Sequence, residues 1–168
     1  MLSVLCAFAF IEVQSSDTWQ EGVADFARQQ LGKQVGRGEC AELSAEALDA
    51  IKAKPYGTWP DSPSSGDYVW GNRKATITPS SKEVELKAGD ILQFRNVRIV
   101  TKSGNTTFTY STQQHTSIIE KYNPETKVAT VLQQNSNGRK YVTRDTINLA
   151  GVKSGTIWVY KPVPKSSR

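Results

Sequence analysis

Between positions 17 and 31 the apolar residues Trp19, Val23, Phe26, Ala27 and Leu31 fall mostly three or four apart, the spacing of one face of an amphipathic helix. Asp17 with Gln20, or Thr18 with Glu21, offers a capping-box start, and Gly32 a stop. Two glycines in three positions, Gly36 and Gly38, predict a tight turn over 34–39. A second helix follows over 40–53, with Leu43, Ala47 and Ile51 on its buried stripe and Cys40 in its first turn. The stretch 54–81 carries Pro55, Pro60, Pro63, Gly57, Gly66 and Gly71 and reads as a long loop, held in place by the aromatics Tyr56, Trp59 and Trp70. Beyond it the period changes to two. Runs rich in Val, Ile, Thr, Tyr and Phe over 91–100, 106–112, 116–122, 127–134, 139–143 and 156–161 predict short strands, with turns at Asn123-Pro124 and Asn137-Gly138. Helices followed by strands define an α+β domain with N-terminal helices packed on an antiparallel sheet of five to six strands.

Composition narrows the function classes. A chain of 168 residues allows one domain, assigned to 16–163, with a polar tail over 164–168 and fraying expected from Pro162 onward. The net charge of +5 comes from scattered Lys and Arg that form no basic face, which argues against nucleic-acid binding. Residues 2–11 are almost wholly apolar and lack a basic start, so 1–15 reads either as a shortened secretory leader or as a first buried strand. The first case places the protein outside the cell or in its envelope, the second in the cytoplasm. Ten apolar residues are too few for a membrane span, which needs about 20. With two cysteines and one histidine, a disulfide scaffold, a zinc finger and a poly-His metal site are excluded.

What remains is thiol chemistry with one imidazole. Cys40 follows a Gly-Arg-Gly-Glu turn and opens a helix, where free N–H groups and the helix dipole favour a thiolate. The competing view makes it a small hydrophobe beginning a buried helix. His115 opens an alternating segment and would stand at a strand start, as a base or as an ordinary surface histidine. Gln133 and Asn135, two apart at a strand end, would share a face, where an amide oxygen could accept from the second ring N–H of His115. They fit a polar strand end equally well. Gln34, six residues before Cys40, is a candidate oxyanion donor beside the Cys40 backbone N–H, or a solvated loop residue.

The order of these features, Cys40 after Gly-x-Gly-Glu, Gly89-Asp90-Ile91, His115, then Gln133-x-Asn135, resembles papain-like cysteine peptidases of the CHAP and NlpC type over about 24–161. The run 36–48 (GRGECAELSAEAL) and Tyr68-Val69-Trp70-Gly71 are similar to the cysteine-proteinase-fold domain of certain fungal actin-patch, myosin-binding proteins and its stand-alone bacterial relatives. The resemblance implies Cys40 as nucleophile, His115 as general base and Gln133 or Asn135 as the group that orients it. Where CHAP peptidases often have Glu-x-Asn, this chain has an amide, which cannot stabilise an imidazolium as a carboxylate does. Trp70 lines a substrate groove or anchors the long loop to the core. The expected activity is amide-bond hydrolysis on a peptide, peptidoglycan or protein substrate, by a monomer that requires no metal or organic cofactor. The alternative is a protein-binding module that keeps the fold and not the reaction.

Overall fold

Helix α1 (Ser16–Gln29) buries Val23, Ala24 and Ala27, with Trp19 and Phe26 packed beside them, so the helical stripe is the one the spacing predicts. The computed structural model describes residues 16–59 and 66–165, the first three by backbone only; the leader assigned to 1–15, Cys6, Pro60, Pro63 and the last three residues lie outside the described residues. Gln20 departs from its expected role in a capping box. It is buried, and its amide donates to the Asp90 carboxylate at 2.8 Å and to the Ala88 carbonyl at 3.2 Å. The helix stops where Gly32, at φ +76°, turns and donates to the Val142 carbonyl at 2.9 Å. Helix α2 (Cys40–Ala50) buries Leu43, Ser44, Ala47 and Leu48. It ends three residues short of the predicted limit because Lys52 takes φ +56°, from which the Ala53 N–H returns to the Leu48 carbonyl at 2.8 Å.

Six antiparallel strands follow: β1 (Asn72–Ile77), β2 (Ile91–Ser103), β3 (Thr106–Asn123), β4 (Val128–Gln133), β5 (Thr143–Asn148) and β6 (Val152–Lys161), in the order β1-β6-β2-β3-β4-β5. Three of them correct the sequence expectation. β1 lies inside the stretch expected to be loop, where its short exposed run pairs with β6. The runs 106–112 and 116–122 are one strand, because the β2–β3 register continues from Ser103–Thr106 through Arg95–Gln114 to Ile91–Ile118 without a shift. The strand expected at 139–143 begins at Thr143 instead; Asn137 and Gly138, at φ +52° and +76°, close a tight turn bridged by Ser136 and Arg139.

The sheet is buried on both faces. One carries the helices, over a core that includes Val23, Leu43, Leu48, Trp70, Ile91, Ile118 and Leu132. On the other, Leu92, Phe94, Ile119, Val131, Ile157 and Val159 form a second core, which extends from Ile77 on one edge strand to Ile147 on the opposite edge. The expected fraying of the C-terminal end starts later than the sequence suggests. Residues 162–165 are strapped to the end of α2 by Lys54 N–H to the Val163 carbonyl (2.8 Å) and Lys165 N–H to the Lys52 carbonyl (3.1 Å).

Candidate active site

The turn before Cys40 is fixed from three sides. Gly36 and Gly38 stand at φ +57° and +87°, and a Cβ on Gly38 would come within 2.8 Å of the Lys140 Cβ and 2.9 Å of its carbonyl oxygen. The Glu42 carboxylate accepts from the backbone N–H of Arg37 (2.7 Å) and of Glu39 (3.0 Å), tying the turn to the first turn of α2. Gln134, fully buried, completes the clamp. Its oxygen accepts from Val35 N–H at 3.1 Å, and its nitrogen donates to the carbonyls of Val35 (3.0 Å) and Glu39 (2.7 Å).

This clamp sets Cys40 against β3, with the backbone N–H groups of Thr116, Ala41 and Cys40 itself directed at the sulfur. The thiol therefore meets the strand one residue from His115. Its pKa does not fall as expected for a helix start. Burial pushes it above its ordinary value of 9.0, the surrounding N–H groups only partly oppose that, and the Glu39 charge adds to it. His115 is 4% exposed and packs its ring 5.9 Å from that of Phe94, in the middle of β3 rather than at a strand start. Its Nε2 lies 2.9 Å from the Gln133 side-chain oxygen. Burial pushes the imidazole pKa below 6.5, while the Gln133 hydrogen bond and the Asp145 charge pull the other way. At pH 7 the thiol and the imidazole are therefore both neutral. Tyr110 lies close enough for the charges of Cys40 and Asp145 to reinforce the effect of burial, and its hydroxyl is pushed up to about 12.

The remaining candidates divide. Gln133 is the amide on His115; Asn135 is turned elsewhere, because the strand ends at Gln133 and Asn135 takes φ +57°, so the two do not share a face. The Asn135 amide instead donates to the Glu39 carboxylate at 2.7 Å, and Lys140 holds the other oxygen at 3.1 Å. Gln34 is exposed, folded over the glycine turn with its amide donated to the Gly36 carbonyl at 3.3 Å. Trp70 cannot line a groove: it is 0% exposed, donates to Gln93 at 2.9 Å and packs against Tyr56 and Tyr68 at 5.0 and 5.4 Å, anchoring the segment that precedes β1.

Two participants were missed from the sequence. Gln134 sat within the highlighted strand end, and its place between two other amides hid it. Asp145 accepts from the Gln133 amide at 3.0 Å and from the Thr143 hydroxyl at 2.7 Å, with Arg139 at 3.4 Å. Its signal, a Thr-x-Asp step after the Asn-Gly turn, became visible only once β5 was placed at Thr143.

A helix headed by a cysteine, packed on an antiparallel sheet that presents a histidine with an amide partner, defines a cysteine-proteinase fold. The chain belongs to the AIM3/BBC1 cysteine proteinase-fold domain family, whose profile matches residues 13–167. It is similar to Altered inheritance of mitochondria protein 3 of Debaryomyces hansenii, at 25% identity over 159 residues that cover 90% of this chain and 17% of that protein. Among solved structures it is similar to Ly7917, at 21% identity and a TM-score of 0.47 over 88% of this chain, and to Ly7917 with the hydrolyzing product of MDP, at 24% and 0.49 over 86%. The match spans 63% of the Ly7917 chain in each case. No helix among the described residues is long and apolar enough to cross a membrane.

Proposed function

We propose that this domain is a cysteine hydrolase of amide bonds, with Cys40 as nucleophile, His115 as general base and Gln133 as the group that orients the imidazole. The observation that carries the proposal is the His115–Gln133 bond at 2.9 Å on the strand residue next to the one whose N–H meets the Cys40 sulfur. Because burial keeps the thiol protonated, the thiolate is generated during attack rather than stored. His115 takes the Sγ proton as sulfur adds to the carbonyl, and the developing oxyanion is met by the Cys40 backbone N–H and the second amide hydrogen of Gln34. The C–N bond then breaks, and the amine leaves with the proton from His115. Water, deprotonated by His115, adds to the thioester, and the acid departs as the proton returns to sulfur. The substrate class is an amide bond in a peptide, in peptidoglycan or in a protein.

The test is hydrolysis of peptidoglycan fragments and peptides. Cys40→Ala is expected to abolish turnover, and His115→Ala to remove at least 10²-fold, the lower end of what a positioned base contributes, about 10²–10⁴-fold. The base is neutral above its pKa, so kcat/KM rises with pH through a midpoint below 6.5 and stays level through neutrality. Turnover by Cys40→Ala equal to wild type overturns the proposal.

Burial of the thiol and its raised pKa favour a second reading, a protein-binding module that retains the fold. In that case alkylation of Cys40 near neutral pH is slow and indifferent to His115→Ala. Alkylation that His115→Ala slows points to the hydrolase.

A further inference from the structure

We propose that Asp145 is a positioning residue that acts through Gln133, fixing which ring nitrogen of His115 carries the proton and supplying the negative charge that an amide cannot. The inference rests on the hydrolase reading only for its catalytic consequence; its structural content stands on hydrogen bonds alone.

An amide side chain fits a site either way round, so Gln133 by itself cannot dictate a tautomer. Asp145 removes that freedom. A carboxylate only accepts, so the Gln133 group 3.0 Å from its Oδ2 is the NH₂, and the oxygen must face His115 at 2.9 Å. That oxygen can only accept, so His115 Nε2 carries the hydrogen, and Nδ1 of the neutral ring keeps the lone pair that a thiol proton needs. The backbone register builds this chain of contacts. Gln133 pairs with Thr143 across β4–β5, and Asp145 lies two residues along β5 on the same face, a diagonal neighbour within reach of a long side chain.

Asp145 is itself held for the task. The Thr143 hydroxyl donates to its Oδ2 at 2.7 Å, and Arg139 Nη2 lies 3.4–3.5 Å from its two oxygens. Burial alone would push its pKa up, but the Gln133 and Thr143 hydrogen bonds and the Arg139 charge together hold it below 3.8. The carboxylate is therefore ionised throughout the working range of the base. Gln133 and Asp145 also border a cavity of about 260 Å³ with Tyr110 and Phe108, so the charge is not sealed in the core. When His115 becomes an imidazolium, this charge lies behind the amide and favours the protonated ring.

His115 is the single histidine of the chain, so its imidazole ¹⁵N resonances are read without assignment. Wild-type protein is expected to show the Nε2–H tautomer above its titration midpoint. Asp145→Asn keeps the shape and loses the charge; Asn presents its own NH₂ or oxygen, so Gln133 can turn over. The Nδ1–H tautomer then appears, the His115 midpoint falls, and kcat drops about 10–100-fold, by analogy with the loss when the outer hydrogen-bond partner of a metal-ligating histidine is removed. Moving the charge inward with Gln133→Glu and Asp145→Asn together restores both the Nε2–H form and the midpoint. A merely structural Asp145 would change the melting temperature and none of these.

A folded Asp145→Asn variant with the wild-type tautomer and midpoint overturns the inference, and so does an Nδ1–H ring in the wild type, which needs no variant to fold. If the tautomer responds as described while no amide is hydrolysed by wild type, the positioning role stands and the hydrolase reading falls. If wild type hydrolyses and the tautomer ignores Asp145, the reverse holds.

Discussion

Cys40 carries opposing influences within a few ångströms. The N–H groups at the head of α2 and on β3 favour its thiolate, burial disfavours it, and the Glu39 carboxylate immediately before it disfavours it further. Glu39 is kept in place by Asn135 at 2.7 Å and Lys140 at 3.1 Å, so its charge is a built feature rather than a passing one. Glu39→Gln removes the charge and leaves an oxygen for Asn135. The thiol pKa is then expected to fall, and alkylation by iodoacetamide near neutral pH, followed on the Cys40 peptide, to accelerate several-fold; an unchanged or slower rate refutes the assignment. At this scale Cys40 and His115 stood out in the sequence because each is a scarce residue type beside a local signal, the glycine turn for Cys40 and the alternating run for His115. The direction of the Cys40 shift was not legible. It depends on burial first and on the Glu39 charge to a smaller degree, and both are set only when the chain folds.

At the scale of elements, the clamp before α2 is what turns a helix start into a site. Three backbone groups of the turn, Val35 N–H, Val35 C=O and Glu39 C=O, have the Gln134 side chain as partner. Gln134→Ala strands Val35 N–H, at a cost on the order of 1–3 kcal/mol for a buried group that water does not recover, and takes one of two donors from each carbonyl, which keep Gly38 N–H and Glu42 N–H at 3.0 Å. The urea midpoint should fall, and turnover should fall by more than the unfolded fraction explains, because Cys40 loses its fixed approach to β3. A midpoint unchanged from wild type would show that the clamp is dispensable. The two helices and most strands were visible in their periodicity, since a buried stripe repeats whatever its partner. The continuity of β3 through Gln113 and Gln114 and the shift of β5 to Thr143 were not, because each depends on pairing with a strand distant in sequence. The β5 shift is also what hid Asp145 from the candidate site.

At the scale of the whole molecule, two buried carboxylates fasten the first helix to the sheet with opposite dependence on pH. Glu120 on β3 receives Arg144 from β5 at 2.6 and 2.8 Å and Arg28 from α1 at 2.9 Å. Asp90, which precedes β2, receives Gln20 from α1 at 2.8 Å and Lys74 from β1 at 2.9 Å. The Arg144 hydrogen bond, with that of Arg28, holds Glu120 below 4.5 despite its burial, whereas burial raises Asp90 above 3.8 despite its partners. A lowered folded pKa means that Glu120 stabilises the fold above 4.5, and that this contribution is lost as pH falls through the folded value. A raised one means that Asp90 contributes most in acid and loses that contribution as pH rises through its folded value. Glu120→Gln should therefore show its largest deficit in urea unfolding free energy at pH 7, with the gap to wild type closing as pH falls below 4.5. For Asp90→Asn the gap should widen over the same interval. Parallel pH slopes for the two variants would contradict this division, since only the opposed shifts of the two carboxyls make the slopes diverge.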